Sequence, residues 1–261
     1  MVRTQIESLV YYQFKSLLQQ DLIHGVFTRH GGVSPDPWHS LNLGGTVGDA
    51  PDKVAENRQR LFSALDRPVS SVFDAWQVHS ANVVIADGPR NGRPHTKGDI
   101  ILTDDPGVTL LMRFADCVPI LLYDPRRSAI GIAHAGWLGT VRRAAEFAAQ
   151  AMVQTFKSDP ADIMAGLGPS IGPDHYMVGA EVVEQIKASF GRDASRHLDR
   201  RNGKTYLDLW SANRALLQGQ GVVQIEVARI CTACHVNDWY SHRSEGGKTG
   251  RFGAAIALRG Q

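Results

Sequence analysis

The chain of 261 residues carries 28 basic and 26 acidic side chains, and 43% of its residues are hydrophobic. This apolar content is enough to bury a core and excludes an intrinsically disordered chain. A formal net charge of +2, without runs of like charge, excludes the basic surface typical of nucleic-acid-binding proteins. No linker or internal repeat divides the sequence, so we expect a single domain over residues 1–261.

The apolar stretches are short, and the N-terminus lacks the basic, apolar and small-residue order of a signal peptide. Val108–Met112 and Pro119–Tyr123 have the length of strands, far below the ~20 residues of a membrane-spanning helix. We therefore expect a cytoplasmic protein that has no membrane partner.

Strand patterns dominate the first half of the chain. A strand is predicted at Leu22–Thr28, a turn at His30–Pro37, and a helix at Pro51–Leu65 with Asp49 as its N-cap. Runs of apolar and β-branched residues then predict further strands at Val72–Val78, Asn82–Ala86, Asp99–Thr103, Val108–Arg113, Pro119–Tyr123 and Ala129–Ala133. The Gly, Pro and polar residues of Asp87–Gly98 predict a surface loop.

Helices become more frequent in the second half. The patterns predict helices at Thr140–Phe156, Glu181–Phe190 and Leu209–Gln218, and strands at Ile163–Leu167, Ile225–Ile230 and Phe252–Leu258. Strands and helices do not alternate one for one in the first half of the chain. The sequence therefore predicts an α/β (α+β) fold in which mixed β-sheets are flanked by helices, rather than a doubly wound fold.

Three potential metal ligands each follow a predicted strand. His79 lies in AWQVHS, Cys117 in RFADCVP and His134 in IAHAGW. Two imidazoles and one thiolate, with a fourth position open, are typical of a catalytic zinc rather than a structural one. Cys117 could instead be a hydrolase nucleophile with one histidine as its base. The residues alone leave both interpretations open, beside ordinary packing of these side chains.

Three arginines are candidates for binding an anion. Arg58 lies on the apolar face of the predicted helix, where it needs an internal carboxylate partner or an anionic ligand. The glycine-rich segment Ser241–Gly253 carries Arg243, Lys248 and Arg251. It is typical of a solvated loop or of a mobile basic lid over an anionic substrate. The forked donors of a guanidinium group suit phosphate.

Two further motifs carry weaker signals. The CTACH of Cys231–His235 matches the C-x-x-C-H pattern of covalent haem attachment, but neither an export signal nor a second pair of zinc ligands accompanies it. The pattern favours a short turn with one packed and one surface cysteine. GLGPSIG, at Gly166–Gly172, departs from the dinucleotide-binding pattern at Ile171, and Pro169 removes a backbone donor, so we expect a tight turn.

Several motifs together resemble the YfiH-type family, also called laccase-domain or polyphenol oxidoreductase-like proteins. The specific ones are QVHSANV at Gln77–Val83, ADCVPILLYDP with the following IAHAGW at Ala115–Trp137, and TGR at Thr249–Arg251 after a CT-start segment. FTRHGGVS, LNLGGTVGD with its AENR, and GLGPSIGP are similar to further blocks of the family. The resemblance extends over Phe27–Leu258.

This resemblance implies a single α/β domain with a zinc bound by His79, Cys117 and His134. Family members are described as purine nucleoside phosphorylases that also deaminate adenosine and act on methylthioadenosine. Some were named laccases, and a bacterial member is linked to editing of peptidoglycan precursors. Two positions depart from the family pattern: Leu138 replaces the arginine of GWRG, and His242 replaces the tyrosine of SYR. We expect both changes to affect substrate preference.

The resemblance and the residues together predict a zinc-dependent purine nucleoside phosphorylase with adenosine deaminase activity. Its substrates would be orthophosphate and adenosine, inosine, guanosine or methylthioadenosine, without a nucleic-acid partner. Arg58, with Arg243 or Arg251, would hold the phosphate. Asp116 and Asp99 would carry protons or orient the ligands, unless they only cap strand ends. We expect a monomer or a small homo-oligomer.

Two alternatives come from other classes of function. A copper-dependent polyphenol oxidoreductase would use the same histidine and cysteine ligands, but the ten histidines include no H-x-H pair of a multicopper cluster. A hydrolase that edits peptidoglycan precursors would use Cys117 as its nucleophile and His79 or His134 as its base.

Overall fold

The computed structural model describes residues 1–260, which form fifteen strands and five α-helices. The strands are β1 Val2–Ile6, β2 Leu9–Gln13, β3 Leu22–Phe27, β4 Val72–Phe73, β5 Val83–Ile85, β6 Ile100–Thr103, β7 Thr109–Phe114, β8 Val118–Asp124, β9 Ala129–Ala135, β10 Met164–Leu167, β11 Met177–Val178, β12 Leu198–Arg201, β13 Lys204–Leu207, β14 Gln224–Val227 and β15 Phe252–Leu258. The helices are α1 Pro51–Ala64, α2 Trp137–Val141, α3 Ala144–Phe156, α4 Ala180–Phe190 and α5 Leu209–Gly219.

Two six-stranded mixed sheets form the centre of the fold. The first has the strand order β1-β2-β3-β15-β7-β4, and the second has the order β14-β10-β8-β9-β6-β5. Most neighbouring strands are antiparallel, whereas β4–β7, β5–β6 and β10–β14 are parallel. A small third sheet has the order β11-β13-β12. Mixed sheets flanked by helices are the architecture that the sequence predicts.

The two large sheets pack face to face, because alternate residues of their central strands are apolar on the facing sides. On β7, Leu110 and Met112 pack between the sheets, whereas Leu111 packs beneath α1 on the outer side. On β8, Leu121 faces the same inter-sheet layer, and Leu122 faces the layer under α3. Side chains of both strands thus alternate between the inter-sheet layer and an outer layer. The end of β7 and the start of β8 lie at one rim of the inter-sheet layer.

The outer layers are helical. The alanines of α3 allow its backbone to lie close to the second sheet, and α5 completes that layer through Leu216 and Leu217. Asp208 begins α5 by accepting a hydrogen bond from the backbone N–H of Ser211. The longest helix has 14 residues. Of the helices in residues 1–260, none is both long and apolar enough to cross a membrane.

The predicted strand at Val72–Val78 is wrong beyond its second residue. Strand β4 ends at Phe73, because the carboxylate of Asp74 turns inward to a group of arginines. The predicted N-cap of α1 is also wrong. Ala50 is the N-cap residue, and the Asp49 carboxylate accepts hydrogen bonds from Ser34 and Asn42 as well as from the N–H of Ala50.

The predicted helix at Thr140–Phe156 is two helices. Arg143 has a positive φ of 62° between α2 and α3, which breaks the helical repeat. The predicted helix and strand at Leu209–Gln218 and Phe252–Leu258 agree with the structure within one residue. The sequence prediction missed the hairpin formed by β1 and β2 and the small third sheet.

Candidate active site

Three side chains predicted as metal ligands meet at the rim of the inter-sheet layer. His134 is the penultimate residue of β9, Cys117 immediately precedes β8, and Pro119 of β8 pairs with His134 across the sheet. His79 reaches them from the loop between β4 and β5, where it has a positive φ of 57°. The ligand atoms of His79, Cys117 and His134, hereafter the triad, all lie within 4.8 Å of one another.

Asp99 holds the two histidines in place. Its buried carboxylate accepts hydrogen bonds from the backbone N–H groups of His79 and Ser80, from the hydroxyl of Ser80, and from Nδ1 of His134 at 2.9 Å. Burial raises its pKa, but the hydrogen bond from His134 and the others outweigh burial and lower it to about 2. An ionised carboxylate accepts only, so Nδ1 of His134 carries a proton and Nε2 is the ring nitrogen left to face Cys117 or to bind a metal. Asp99 therefore orients the triad.

The chain approaches Cys117 too closely for a larger residue at position 136. A Cβ on Gly136 would lie 2.5 Å from the Cys117 sulfur, so only glycine leaves room for this thiol. Burial raises the pKa of Cys117, but the charge and hydrogen bond of His134 lower it to about 6. The thiol is therefore poised to be a thiolate, which is the form that binds metals and attacks electrophiles.

The triad opens into a cavity of about 720 Å³, a size typical of small-molecule sites. Four arginines line this cavity: Arg58, Arg113, Arg243 and Arg251. Aromatic side chains also line it: Trp76, Trp137 and Tyr176. A cavity with cationic and aromatic walls can bind a ligand that combines an anion with a flat ring system.

Arg58 and Arg113 converge on one buried carboxylate at the cavity wall. Asp74 is fully buried and contacts Arg58 at 3.2 Å, Arg113 at 2.8 Å and Arg90 at 2.8 Å. Burial raises the pKa of Asp74, but the charges of Arg113 and Arg58 bring it down to about 2. One carboxylate thus faces three guanidinium groups, so the net charge of this group is positive. Both interpretations of Arg58 apply, since it has a carboxylate partner and also lines the cavity.

One donor of Arg58 is buried and unpaired in the described part of the chain. Its buried Nε has no hydrogen-bond partner among residues 1–260. A buried donor of this kind is costly unless a ligand or water satisfies it. The atom therefore supports the predicted anion-binding role of Arg58.

Arg243 and Arg251 line the cavity from the C-terminal segment. Arg251 donates to the carbonyls of Thr249 and Gly250, and Arg243 donates to the carbonyl of Met177. These carbonyl partners do not neutralise the guanidinium charges. Lys248 is exposed and lies outside the cavity lining. The backbone N–H of Arg251 also bonds to the Asn42 side chain, so this part of the segment is anchored in the structure.

Asp116 lines the cavity beside Cys117, with a positive φ of 81°. Its two carboxylate oxygens accept hydrogen bonds from the Thr232 hydroxyl at 2.6 Å and from the backbone N–H of Arg243 at 2.7 Å. These contacts tie the β7–β8 turn to the segment that carries Arg243. They support a positioning role, while the predicted role of Asp116 as a proton carrier stays a prediction.

Leu138 and His242, at which the resemblance of the motifs predicts arginine and tyrosine, both line the cavity. Leu138 lies in α2, and His242 precedes Arg243 in the C-terminal segment. Both can therefore contact a ligand directly.

The sequence prediction missed the group around Asp74. The members of this group are far apart in the chain. Arg113 lies inside β7, where it is half-buried, and nothing in the strand sequence indicates that it binds Asp74. The available signal was Asp74 itself, a carboxylate within an apolar run, because such a group must be paired when buried. The prediction for CTACH is confirmed as far as burial goes, since Cys231 is buried and Cys234 is exposed.

Comparison with known proteins identifies the family. A family model described as multi-copper polyphenol oxidoreductase laccase matches residues 23–259. The chain belongs to this family, the YfiH/YlmD family. A protein of Deinococcus radiodurans named purine nucleoside phosphorylase is 41% identical over 90% of this chain and 88% of its own length. Purine nucleoside phosphorylase YfiH of Escherichia coli is 36% identical over 88% of this chain and 91% of its own.

Solved structures confirm the fold of this family member. The crystal structure of YlmD from Geobacillus stearothermophilus matches with a TM-score of 0.92 and 32% identity, covering 98% of each chain. A Bacillus licheniformis protein described as hypothetical protein YfiH matches with a TM-score of 0.90 and 34% identity, covering 97% of each chain. The resemblance in the motifs therefore extends to the whole architecture.

Proposed function

We propose that this YfiH/YlmD-family protein is a purine nucleoside phosphorylase. The observation that carries the proposal is one cavity that combines the triad, four arginines and three aromatic side chains. Relatives that match nearly the whole chain bear the name purine nucleoside phosphorylase. The cavity chemistry suits the substrates of that reaction, a phosphate anion and an aromatic base joined to a sugar.

In this reaction, orthophosphate attacks the anomeric carbon of the ribose as the bond to the purine nitrogen breaks. The products are a ribose 1-phosphate and the free base, which takes a proton as it leaves. Arg58, which lines the cavity, contributes its guanidinium group to the phosphate site, and Arg113, held by Asp74, adds charge beside it. Arg243 and Arg251 are the predicted partners on the opposite segment. Trp76 and Tyr176 provide surfaces on which the base stacks.

The triad fits a single zinc ion. Two imidazole nitrogens and a thiol of lowered pKa lie together, Asp99 fixes the tautomer of His134, and the fourth side faces the cavity. Three protein donors with one open side are the donor set of a catalytic zinc. When bound, zinc supplies Lewis acidity to an oxygen in the cavity.

We extend the proposal to adenosine deamination and to several nucleosides. Deamination replaces the 6-amino group of adenine by oxygen from water and releases ammonia, so it needs no phosphate. The aromatic walls stack on any purine, which supports adenosine, inosine, guanosine and methylthioadenosine as substrates.

Product chromatography tests both activities. Purified protein is incubated with adenosine, with and without orthophosphate. Adenine that forms only with phosphate establishes phosphorolysis, and inosine in either reaction establishes deamination. Absence of every product, in protein shown to contain zinc, contradicts the nucleoside proposal.

The donor set does not fit a multicopper centre. Among residues 1–260, two groups of three or more metal-ligating side chains lie close together, and only the triad contains two histidines. A cluster of several copper ions needs more imidazole ligands than this, so we derive no oxidase step from the family description. The expected result for copper-loaded protein is at most one copper ion at the triad and no spectroscopic signal from a coupled copper cluster.

The lowered pKa of Cys117 supports one alternative, a thiol hydrolase acting on peptidoglycan precursors. A thiolate beside His134 can also attack a carbonyl carbon. Alkylation of metal-free protein and chelation separate the two proposals. The hydrolase requires that alkylation abolishes activity which survives chelation, whereas the zinc proposal requires that chelation alone abolishes activity.

A further inference from the structure

A second cluster of metal-ligating side chains lies outside the cavity. Asp174, His175, Cys231 and Cys234, hereafter the loop cluster, have ligand atoms that all lie within 4.8 Å of one another. None of the four lines the cavity. Asp174 and His175 follow the turn at Gly172, and the two cysteines belong to the CTACH motif. The second ligand pair that the CTACH pattern lacks thus comes from a loop more than fifty residues earlier in the chain.

The distances within the loop cluster match a tetrahedral zinc site. Zinc bonds of typical length at tetrahedral angles separate neighbouring donor atoms by about 3.3–3.8 Å, from nitrogen–oxygen pairs at the short end to sulfur–sulfur pairs at the long end. Nδ1 of His175 lies 3.4 Å from the Cys234 sulfur and 3.8 Å from the Cys231 sulfur. Oδ2 of Asp174 lies 3.3 Å from Nδ1 of His175 and 3.8 Å from the Cys234 sulfur. Four of the donor–donor distances therefore have the required length.

The backbone around the loop cluster supports the thiolates. The N–H of Gly172 donates to the Cys231 sulfur at 3.1 Å, the kind of contact that stabilises a metal-bound thiolate. A Cβ on Gly172 would lie 2.8 Å from a carboxylate oxygen of Asp174 and 3.1 Å from the Cys231 sulfur. The glycine therefore leaves room for the donors to converge. A parallel bridge between Ser170 and Cys231 holds the two loops together.

We propose that the loop cluster is a second zinc site, bound by Cys231, Cys234, His175 and Asp174. Two thiolates, an imidazole and a carboxylate select zinc over magnesium or calcium, which prefer oxygen donors. Four protein donors leave no open position, so the site is structural. On binding zinc, the two thiols release their protons to solvent and form two zinc–sulfur bonds.

The site would stabilise one wall of the cavity. Tyr176, next to His175, lines the cavity and lies under the Arg243 guanidinium, 5.0 Å from it. Thr232, next to Cys231, donates to Asp116 beside the triad. Zinc would therefore join the two loops that present Tyr176 and Arg243. The proposal does not depend on which reaction the cavity catalyses.

Cobalt binding separates the loop cluster from the triad. The full-length Cys117→Ser variant, which lacks the triad thiolate, is stripped of metal and titrated with Co²⁺. The expected result is a tetrahedral spectrum with thiolate-to-cobalt charge transfer that saturates at one equivalent and disappears when Zn²⁺ is added. The double variant Cys117→Ser/Cys234→Ser should lose this spectrum while its circular dichroism stays unchanged.

Two histidine variants in the Cys117→Ser background provide a matched control. His175→Ala removes a proposed ligand and should weaken cobalt binding at least tenfold. His235→Ala removes the exposed histidine of CTACH, which lies outside the cluster, and should leave binding unchanged. The proposal is overturned if Cys117→Ser shows no thiolate–cobalt band, or if thiol titration finds Cys231 and Cys234 joined in a disulfide.

Discussion

The triad and the loop cluster use the same donor types but differ in how the fold presents them. In the triad, His134 belongs to a central strand and Cys117 immediately precedes its neighbour, and both are supported by the packed sheets. The loop cluster joins two loops, and Cys234 is exposed. The triad has three donors and lines the cavity, whereas the loop cluster has four donors and none of them lines it. The difference predicts reactivity at the first and stabilisation at the second.

The sharpest test of this contrast removes one ligand from each region. His79→Ala should reduce turnover below detection and lower the zinc content by one equivalent, because only two of the three triad donors remain to bind zinc. Cys234→Ser should lose one equivalent as well but keep most of the turnover. Metal analysis and product chromatography on both variants measure these effects. Intact zinc content and turnover in His79→Ala would show that the triad is not a zinc site.

The next largest effect concerns the support of the triad. Asp99→Asn keeps the shape of the side chain but removes the charge that fixes the tautomer of His134, so kcat/KM or zinc affinity should fall about 10–100-fold. Asp116→Asn is the matched control, because that carboxylate contacts Thr232 and Arg243 and not the histidines. A larger loss in Asp116→Asn than in Asp99→Asn would contradict this ranking, and loss of one limb of the pH–rate profile in Asp116→Asn would support Asp116 as a proton carrier rather than a positioning residue.

Phosphate binding in the cavity beside the triad can be tested at Arg58. Arg58→Lys keeps the charge but loses the planar guanidinium group, so kcat/KM for phosphate should fall about 10–100-fold, while the KM for the nucleoside changes less. Arg90→Lys is the control, since Arg90 contacts the same Asp74 but does not line the cavity. Equal losses in the two variants would mean that Arg58 acts only through Asp74.

Stability should respond to the loop cluster. Removing zinc from Cys117→Ser, in which the loop cluster is intact, should lower Tm by about 5–10 °C, because a ligand that binds only the folded state stabilises it. The same treatment of Cys117→Ser/Cys234→Ser should leave Tm unchanged. Thermal unfolding followed by circular dichroism measures both. An equal change in Tm in the two proteins would show that the loop cluster does not stabilise the fold by binding zinc.

The two regions also differ in how far the sequence predicts them. The meeting of the triad residues was predicted from strand-like runs before each ligand, although the run before His79 is a strand only to Phe73 and His134 lies inside β9. The motifs of the resemblance then identify the ligand set. The loop cluster was not predictable, because Asp174 and His175 lie in a turn whose position against CTACH depends on the bridge between Ser170 and Cys231. No local pattern encodes that contact.

Errors in the predicted elements have a similar origin. The apolar run at Val72–Val78 predicts a strand, but the buried charge of Asp74 requires partners, and Arg113 and Arg90 end the strand by binding it. The run at Thr140–Phe156 has helical composition throughout, yet Arg143 takes a left-handed conformation between two helices. At Asp74, tertiary contacts outweigh local propensity.

The smallest expected effect comes from Leu138, where the resemblance of the motifs predicts an arginine. Leu138 lines the cavity, so Leu138→Arg adds a partly exposed charge near the phosphate-binding arginines and should lower the KM for phosphate about 2–5-fold. Leu138→Gln adds a polar side chain without charge and should leave this KM unchanged. The gain should shrink at high salt, which screens exposed charges. Steady-state kinetics at two ionic strengths measure it, and a change confined to the KM of the nucleoside would place this position against the base instead.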